Sequence, residues 1–335
     1  MSVALTPAQE LAVAHGAGPL VILGGAGTGK TLTLARRAVH LVDTTGAPPG
    51  TLLGLAATAA AADDLRTRIE DALDRPFEEL HVLTPHAFAA RLLARESAEV
   101  GLDPLTATAG RADRLALLLD RVDRLTIRSH DFRGRPAAML AGVLSRIDRC
   151  KEEMVTAAAY GAWAAGLGED TAADAARAAH EREFAALYAA HDQMLAEKGL
   201  LDTGELILRA DRLLAERADV RARTAERFRH ILADDWQDAS FAVTRLVMRL
   251  AAEHGSLTVA GDDDQTLARF RGAGAKNLRD VHATLPGTEV VRLETSVRCA
   301  APVLAAAEAV VAPIEERIRT TPHSQAHGDV WFWRC

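Results

Sequence analysis

Apolar residues along this chain fall into two spacings. Short apolar runs alternate with longer stretches where apolar side chains recur at helical intervals. Val21, Ile22 and Leu23 form one run, which enters the glycine-rich segment GGAGTG (24–29); TLTLARRAVHLV (31–42) follows with helical spacing. Upstream, LTPAQELAVAH (5–15) reads as a short helix, with Thr6 as N-cap and Pro7 as first helical residue. DTTGAPPG (43–50) is a turn, and TLLGLAAT (51–58) reads as a strand. AAAADDLRTRIEDAL (59–73) reads as a helix with Leu65, Ile69 and Leu73 on one face. LHVLTPHAF (80–88) is a third strand ending in a loop, before a helix from about Ala87.

From about residue 91 to 200 the strand pattern stops. ADRLALLLDRVDRL, AAMLAGVLSRIDRCKEEM and TAADAARAAHEREFAALYAAHDQMLAEKG read as helices, with breaks expected in PAAMLAG and GAWAAGLGED. Strands return in FRHILADDWQD (228–238), SLTVAGDDDQ (256–265) and EVVRLETSVRCAAPVLAAAEAVV (289–311), the last continuing as a helix. VWFWR (330–334) has strand-like apolar density. Strands alternating with helices predict an α/β fold with a parallel, doubly wound sheet, here carrying an all-helical insertion.

The 335 residues suit two or three domains. With 49% hydrophobic and 25% charged residues, the balance is that of a globular protein. The net charge of −7 excludes a general polycation, so any nucleic-acid contact must use a local basic surface. Residues 111–151 hold ten Lys/Arg against five Asp, a candidate phosphate-contacting surface. A solvated helical face with i,i+4 ion pairs fits the same residues equally well. Three widely separated cysteines, Cys150, Cys299 and Cys335, fit neither a disulfide framework nor a C-x-x-C site and suggest a reducing cytoplasm. The first residues lack the pattern of a signal peptide, and no apolar run is long enough to suggest a membrane helix.

Candidate chemistry centres on VILGGAGTGKT (21–31), a G-x-x-x-x-G-K-T match between a strand and a helix. Glycines let successive N–H groups turn inward on a phosphate, and the following helix N-terminus adds partial positive charge. The candidate phosphate residues are Gly24, Gly25, Ala26, Gly27, Thr28, Gly29, Lys30 and Thr31, with Lys30 reaching the β- and γ-phosphates and Thr31 holding Mg²⁺. Gln9 can both donate to and accept from an adenine edge. Asp234 and Asp235, at a strand end, suit a Mg²⁺ ligand and a base for the attacking water. Gln265 follows an acidic loop and could sense a γ-phosphate, and Phe270 between arginines suits stacking on an unpaired base.

In this order the stretches resemble the UvrD/Rep/PcrA group of superfamily 1 DNA helicases, across the whole chain. LTPAQ resembles the Q motif, GGAGTGKT motif I, AATAAAADDLRTRI motif Ia and TPHAF motif Ib. LADDWQD resembles motif II, AGDDDQTLARFRGA motif III and RLETSVRC motif IV, while GLLDTGEL (199–206) resembles the segment where a helical insertion rejoins the core. The resemblance implies a RecA-like phosphate-loop domain from 1–90 and 201–292, a helical insertion at 91–200, and the start of a second RecA-like domain at 293–335. It implies ATP-dependent 3′-to-5′ DNA helicase activity with ATP and Mg²⁺. Gln9 would read adenine, Asp234 would organise Mg²⁺, Asp235 would occupy the base position, Gln265 would couple hydrolysis to movement, and Arg298 would act as an arginine finger. Thr58, Thr84, His86, Phe270 and Arg271 would touch single-stranded DNA.

The chain departs from the family pattern in places. Motif II reads Asp-Asp rather than Asp-Glu, and motif Ia reads Ala57-Thr58-Ala59-Ala60 rather than Phe-Thr-Asn-Lys. Leu32, Ser296, Val297 and Ala268 stand where the family usually has Arg, Asn, Tyr and Tyr. Because the sequence stops soon after motif IV, a truncated chain, or one needing a partner chain for its second motor domain, is expected. The alternative is a degenerate relative that binds ATP or DNA without unwinding.

Overall fold

The computed structural model describes residues 4–73, 79–103, 105–130, 134–266, 272–274, 278, 281, 283–312 and 321–322. The chain opens with α1 (Pro7–Ala14), β1 (Leu20–Gly24), α2 (Lys30–Asp43), β2 (Leu52–Leu55), α3 (Ala59–Leu73), β3 (His81–Leu83) and α4 (Pro85–Arg95). Next come α5 (Ser97–Val100), β4 (Ala107–Thr108), α6 (Arg111–Asp120), α7 (Pro136–Glu152), α8 (Ala157–Ala165), α9 (Ala172–Glu197) and β5 (Leu200–Leu201). The chain returns through α10 (Thr203–Glu216), α11 (Ala218–Arg227), β6 (His230–Ala233), α12 (Phe241–Ala251), β7 (Leu257–Gly261), β8 (Glu289–Leu293) and β9 (Thr295–Ser296). A helix at Ala301–Val311 follows, and Thr321–Pro322 pairs with β9.

Six strands form one parallel sheet in the order β3–β2–β6–β7–β1–β8. Both faces are covered, so each strand buries alternate residues on opposite sides. Val21, Leu53, Leu55, Ile231, Ala233, Leu257 and Val259 join one core with α4, α10 and α12. Leu20, Ile22, Leu52, Leu232, Ala260, Val291 and Leu293 join the other, with α2 and α3. The strands therefore read as continuous apolar runs rather than alternating ones.

A third core lies within the insertion, where Leu118, Leu140, Leu144, Ile147, Phe184, Leu187 and Tyr188 pack between α6, α7 and α9. The two-residue pairing Ala107↔Leu200, Thr108↔Leu201 closes its neck. The break expected in PAAMLAG is absent past Pro136: proline occupies the first helical turn, where its missing N–H is harmless, and α7 runs straight through Gly142. The break expected in GAWAAGLGED is present: α8 passes through Gly161 but ends at Ala165, with Gly166 as its C-cap, and α9 begins only at Ala172.

Among the described residues, six of the ten cations in the basic run at 111–151 meet carboxylates, five through tertiary contacts and Arg149 through an i,i+4 pair. Arg121 reaches Glu197 at 2.6 Å, Arg146 pairs with Glu181, and Arg149 meets Glu153 at 2.5 Å. Arg114, with its side chain buried, contacts Asp148 at 2.6 Å and His191 at 3.0 Å, and Arg111 meets Asp148 at 3.4 Å. Lys151 Nζ is buried between Asp192 and Asp202, at 2.8 Å from each. Several of these carboxylates come from α9 and the start of α10, outside the basic window. VWFWR lies outside the described residues.

Candidate nucleotide and nucleic-acid site

In a parallel sheet, every strand delivers its carboxyl end to the same edge, and ligands gather there. Here that edge collects the segments after β1 (24–29), β2 (Thr58), β3 (Thr84), β6 (Asp234 and Asp235) and β7 (Asp262). The candidate residues, scattered over more than two hundred positions, thus share one rim.

The loop after β1 is shaped by two glycines in the left-handed region, Gly27 (φ +75) and Gly29 (φ +81). Gly29 N-caps α2 without any side-chain cap. Lys30 Nζ donates to the carbonyls of Gly24 (2.8 Å) and Gly25 (3.0 Å), and lies 3.9 Å from Asp262 Oδ2. Thr31 Oγ1 donates to Asp234 Oδ2 at 2.6 Å. Asp234 is buried, and its own N–H is fixed on the Leu55 carbonyl at 2.8 Å. Burial pushes its carboxyl above the ordinary value and the Asp235 charge adds to this, opposed by the Thr31 hydroxyl and by Lys30.

Asp235 has a left-handed backbone (φ +49), which Asp tolerates better than most residues. Its Oδ1 accepts from Gln237 Nε2 at 3.2 Å, and Gln237 Oε1 accepts from the Asp262 N–H at 3.0 Å. Gln265 is exposed and donates to the Asp262 carboxylate. Gln237 and Asp262 therefore tie the loops after β6 and β7 together. Sequence reasoning missed both residues, although Asp262 opens the acidic run that ends in Gln265.

Gln9 is buried. Its Oε1 accepts from Thr6 N (2.8 Å) and its Nε2 donates to the Thr28 carbonyl (2.9 Å), so both ends of the amide rest on the protein's own backbone. Arg298 sits against the phosphate loop: Val297 N donates to the Gly27 carbonyl at 2.9 Å, and a Cβ at Gly27 would stand 2.7 Å from Arg298 Cβ. Among the nucleic-acid candidates, Thr58 and His86 line one cleft with Asp234 and Asp235. Thr58 also accepts from Ala61 N, Thr84 N-caps α4, and His86 Nε2 lies 3.6 Å from Glu152. Phe270 and Arg271 lie outside the described residues.

The oxygens of Thr31 and Asp234 form a hard-donor pair, Asp235 follows Asp234 directly in the chain, and Asp262 adds a further acid 3.9 Å from the Lys30 ammonium. That donor set fits a divalent cation of the Mg²⁺ class.

The model of the UvrD/REP helicase N-terminal domain matches residues 5–286. The chain belongs to the UvrD/REP helicase family. It is similar to the ATP-dependent DNA helicase Rep of Escherichia coli, with 29% identity over 92% of this chain and 43% of that protein. It is also similar to the ATP-dependent DNA helicases PcrA of Bacillus subtilis (27%) and UvrD1 of Mycobacterium tuberculosis (31%), each over 92% of this chain and 39% of the relative. The chain thus spans about two fifths of the length of these relatives. Within this UvrD/REP-family fold, Arg37 is a further buried cation that the sequence did not single out. Its Nη1 donates to the His15 carbonyl at 2.7 Å and its Nε to Thr258 Oγ1 at 2.8 Å, locking the end of α1 to β7. Burial lowers its pKa to about 10, which leaves it protonated at neutral pH.

Proposed function

We propose that this chain is the ATP-binding half of an ATP-dependent 3′-to-5′ DNA translocase of the UvrD type. The observation that carries the reading is the Thr31–Asp234 contact on a phosphate loop against which the Arg298 segment is already packed. Lys30 would leave its two loop carbonyls for the β- and γ-phosphates, and Arg298 would offset charge developing on the γ-phosphate. Thr31 and Asp234 would hold Mg²⁺, which when bound supplies charge neutralisation at the phosphates. Asp235 would orient and deprotonate water. Gln265 would report the state of the site through Asp262. Gln9 would exchange its contacts with Thr6 and Thr28 for an adenine edge. Single-stranded DNA would cross Thr58, Thr84 and His86, with Phe270 and Arg271 as further contacts. In this reading 1–90 and 201–292 form the ATP domain, 91–200 the helical insertion, and 293–335 the beginning of the second motor domain, in a cytoplasmic protein.

The test is steady-state ATP hydrolysis by the native polypeptide with and without a single-stranded oligonucleotide. DNA should raise turnover, and Lys30→Ala should lower it by about a hundredfold or more. Unchanged turnover in that variant would overturn the assignment. One observation favours the second reading, binding without turnover. Asp235 is a methylene shorter than the family's usual Glu, and its carboxylate is engaged by Gln237. On that reading ATP binds, DNA does not raise a negligible rate, and Asp235→Glu, which restores the missing methylene, does.

A further inference from the structure

A second cavity lies far along the sheet from the phosphate loop, on its β3 edge. One face each of β3, α4 and α11 builds it. His81 and Leu83 alternate along β3, Phe88, Arg91, Leu92 and Arg95 recur at helical spacing along α4, and Arg223, Arg227 and Phe228 come from α11 and its end. The floor is apolar and aromatic: Phe228 meets Phe88 and His81 edge-on, at centroid distances of 5.7 and 5.2 Å. Burial pushes the His81 imidazole below its ordinary pKa, which favours the neutral ring and keeps the floor uncharged.

The rim is cationic and only partly compensated. Glu96 is taken by Arg223 and lies 3.8 Å from Arg95, and Glu79 stands 3.7 Å from His81. Among the described residues neither Arg91 nor Arg227 has a carboxylate partner, and Arg227 lies over the face of Phe228, at 5.4 Å. Two arginines that meet no carboxylate among the described residues, over an aromatic floor of edge-on rings, suit one chemistry, a ring to pack and an anionic group for the guanidinium forks. The volume, about 220 Å³, exceeds the roughly 150 Å³ that suffices for benzene.

We propose that this cavity is a binding site for a small aromatic anion, a planar ring carrying a phosphate or carboxylate, separate from the ATP site. Arg91 and Arg227 hold the anionic group, and Phe88, Phe228 and Leu92 hold the ring. Such a ligand would rest on α4, whose opposite end carries Thr84 and His86.

The experiment is calorimetric titration of the whole chain with 1-naphthyl phosphate, with 1-naphthol and inorganic phosphate as separate probes. The proposal expects saturable binding of naphthyl phosphate and much weaker binding of either part. Arg91→Gln/Arg227→Gln, which keeps most of each stem, should weaken it about tenfold or more, as expected for two lost charge-assisted bonds. Lys30→Ala should leave it unchanged, which separates this site from the phosphate loop. Absence of binding, equal binding of naphthol, or binding that follows Lys30 rather than the arginines would overturn it. Circular dichroism of the double variant confirms that a loss is not unfolding.

Discussion

Gly27 shows how much the site depends on single positions. Its positive φ disfavours any side chain, and a Cβ would meet Arg298 Cβ and Ser296 Oγ, each at 2.7 Å. Gly27→Ala should cost about 1–2 kcal/mol from the left-handed backbone alone. It should also push the Arg298 segment off the loop, weakening nucleotide binding more than it lowers the unfolding midpoint. Asp234 makes the opposite case. Its folded pKa is raised, so the folded state holds its proton more tightly than the unfolded chain does. Stability therefore falls as pH rises through the interval above the ordinary carboxylate value. Asp234→Asn removes that buried charge. Urea titrations should find the variant at least as stable as the parent at neutral pH, with a flatter dependence across the interval, while metal-dependent hydrolysis is lost. A clear destabilisation at neutral pH would show that the Thr31 contact outweighs the burial cost.

Elements were legible where their signals are local. The strand, glycine loop and helix of 21–42 are adjacent in sequence, and Asp234 announces itself at the end of an apolar run. Gln237 and Asp262 were not legible, because their link joins two loops that only the sheet brings together. The partners of the basic run were not legible either, because Glu181, Asp192 and Glu197 arrive from another helix. Lys151 shows the energetic weight of that arrangement. Burial alone would lower its pKa, yet Asp202, Asp192 and Glu205 raise it above the ordinary value. Asp202 also caps α10, accepting from Glu205 N at 2.8 Å, so one buried cluster joins the insertion to the sheet domain. Lys151→Ala removes the nearer of Asp202's two cations, leaving Arg114 Nη2 at 3.6 Å, and should cost up to about 3–5 kcal/mol in urea unfolding. Asp202's folded pKa is depressed, so its contribution is present above the ordinary carboxylate pKa and lost as pH falls through the folded value. The penalty of Lys151→Ala should accordingly shrink in acid.

Across the whole molecule, the fold class was readable from alternation of strand and helix, but not which residues of each strand faced which core. Strands buried on both sides carry no polar face to mark them. The consequence of the parallel sheet is a division of labour between its ends: the proposed nucleotide site at the carboxyl edge, and structural locks such as Arg37 beneath it. The central claim is that this edge binds ATP through Lys30 and a cation held by Thr31 and Asp234. Calorimetric titration of the chain with ATP and Mg²⁺ tests it most directly. The account predicts one-to-one binding that Lys30→Ala abolishes and chelation of the metal weakens. An absence of binding, or binding indifferent to Lys30, would contradict it.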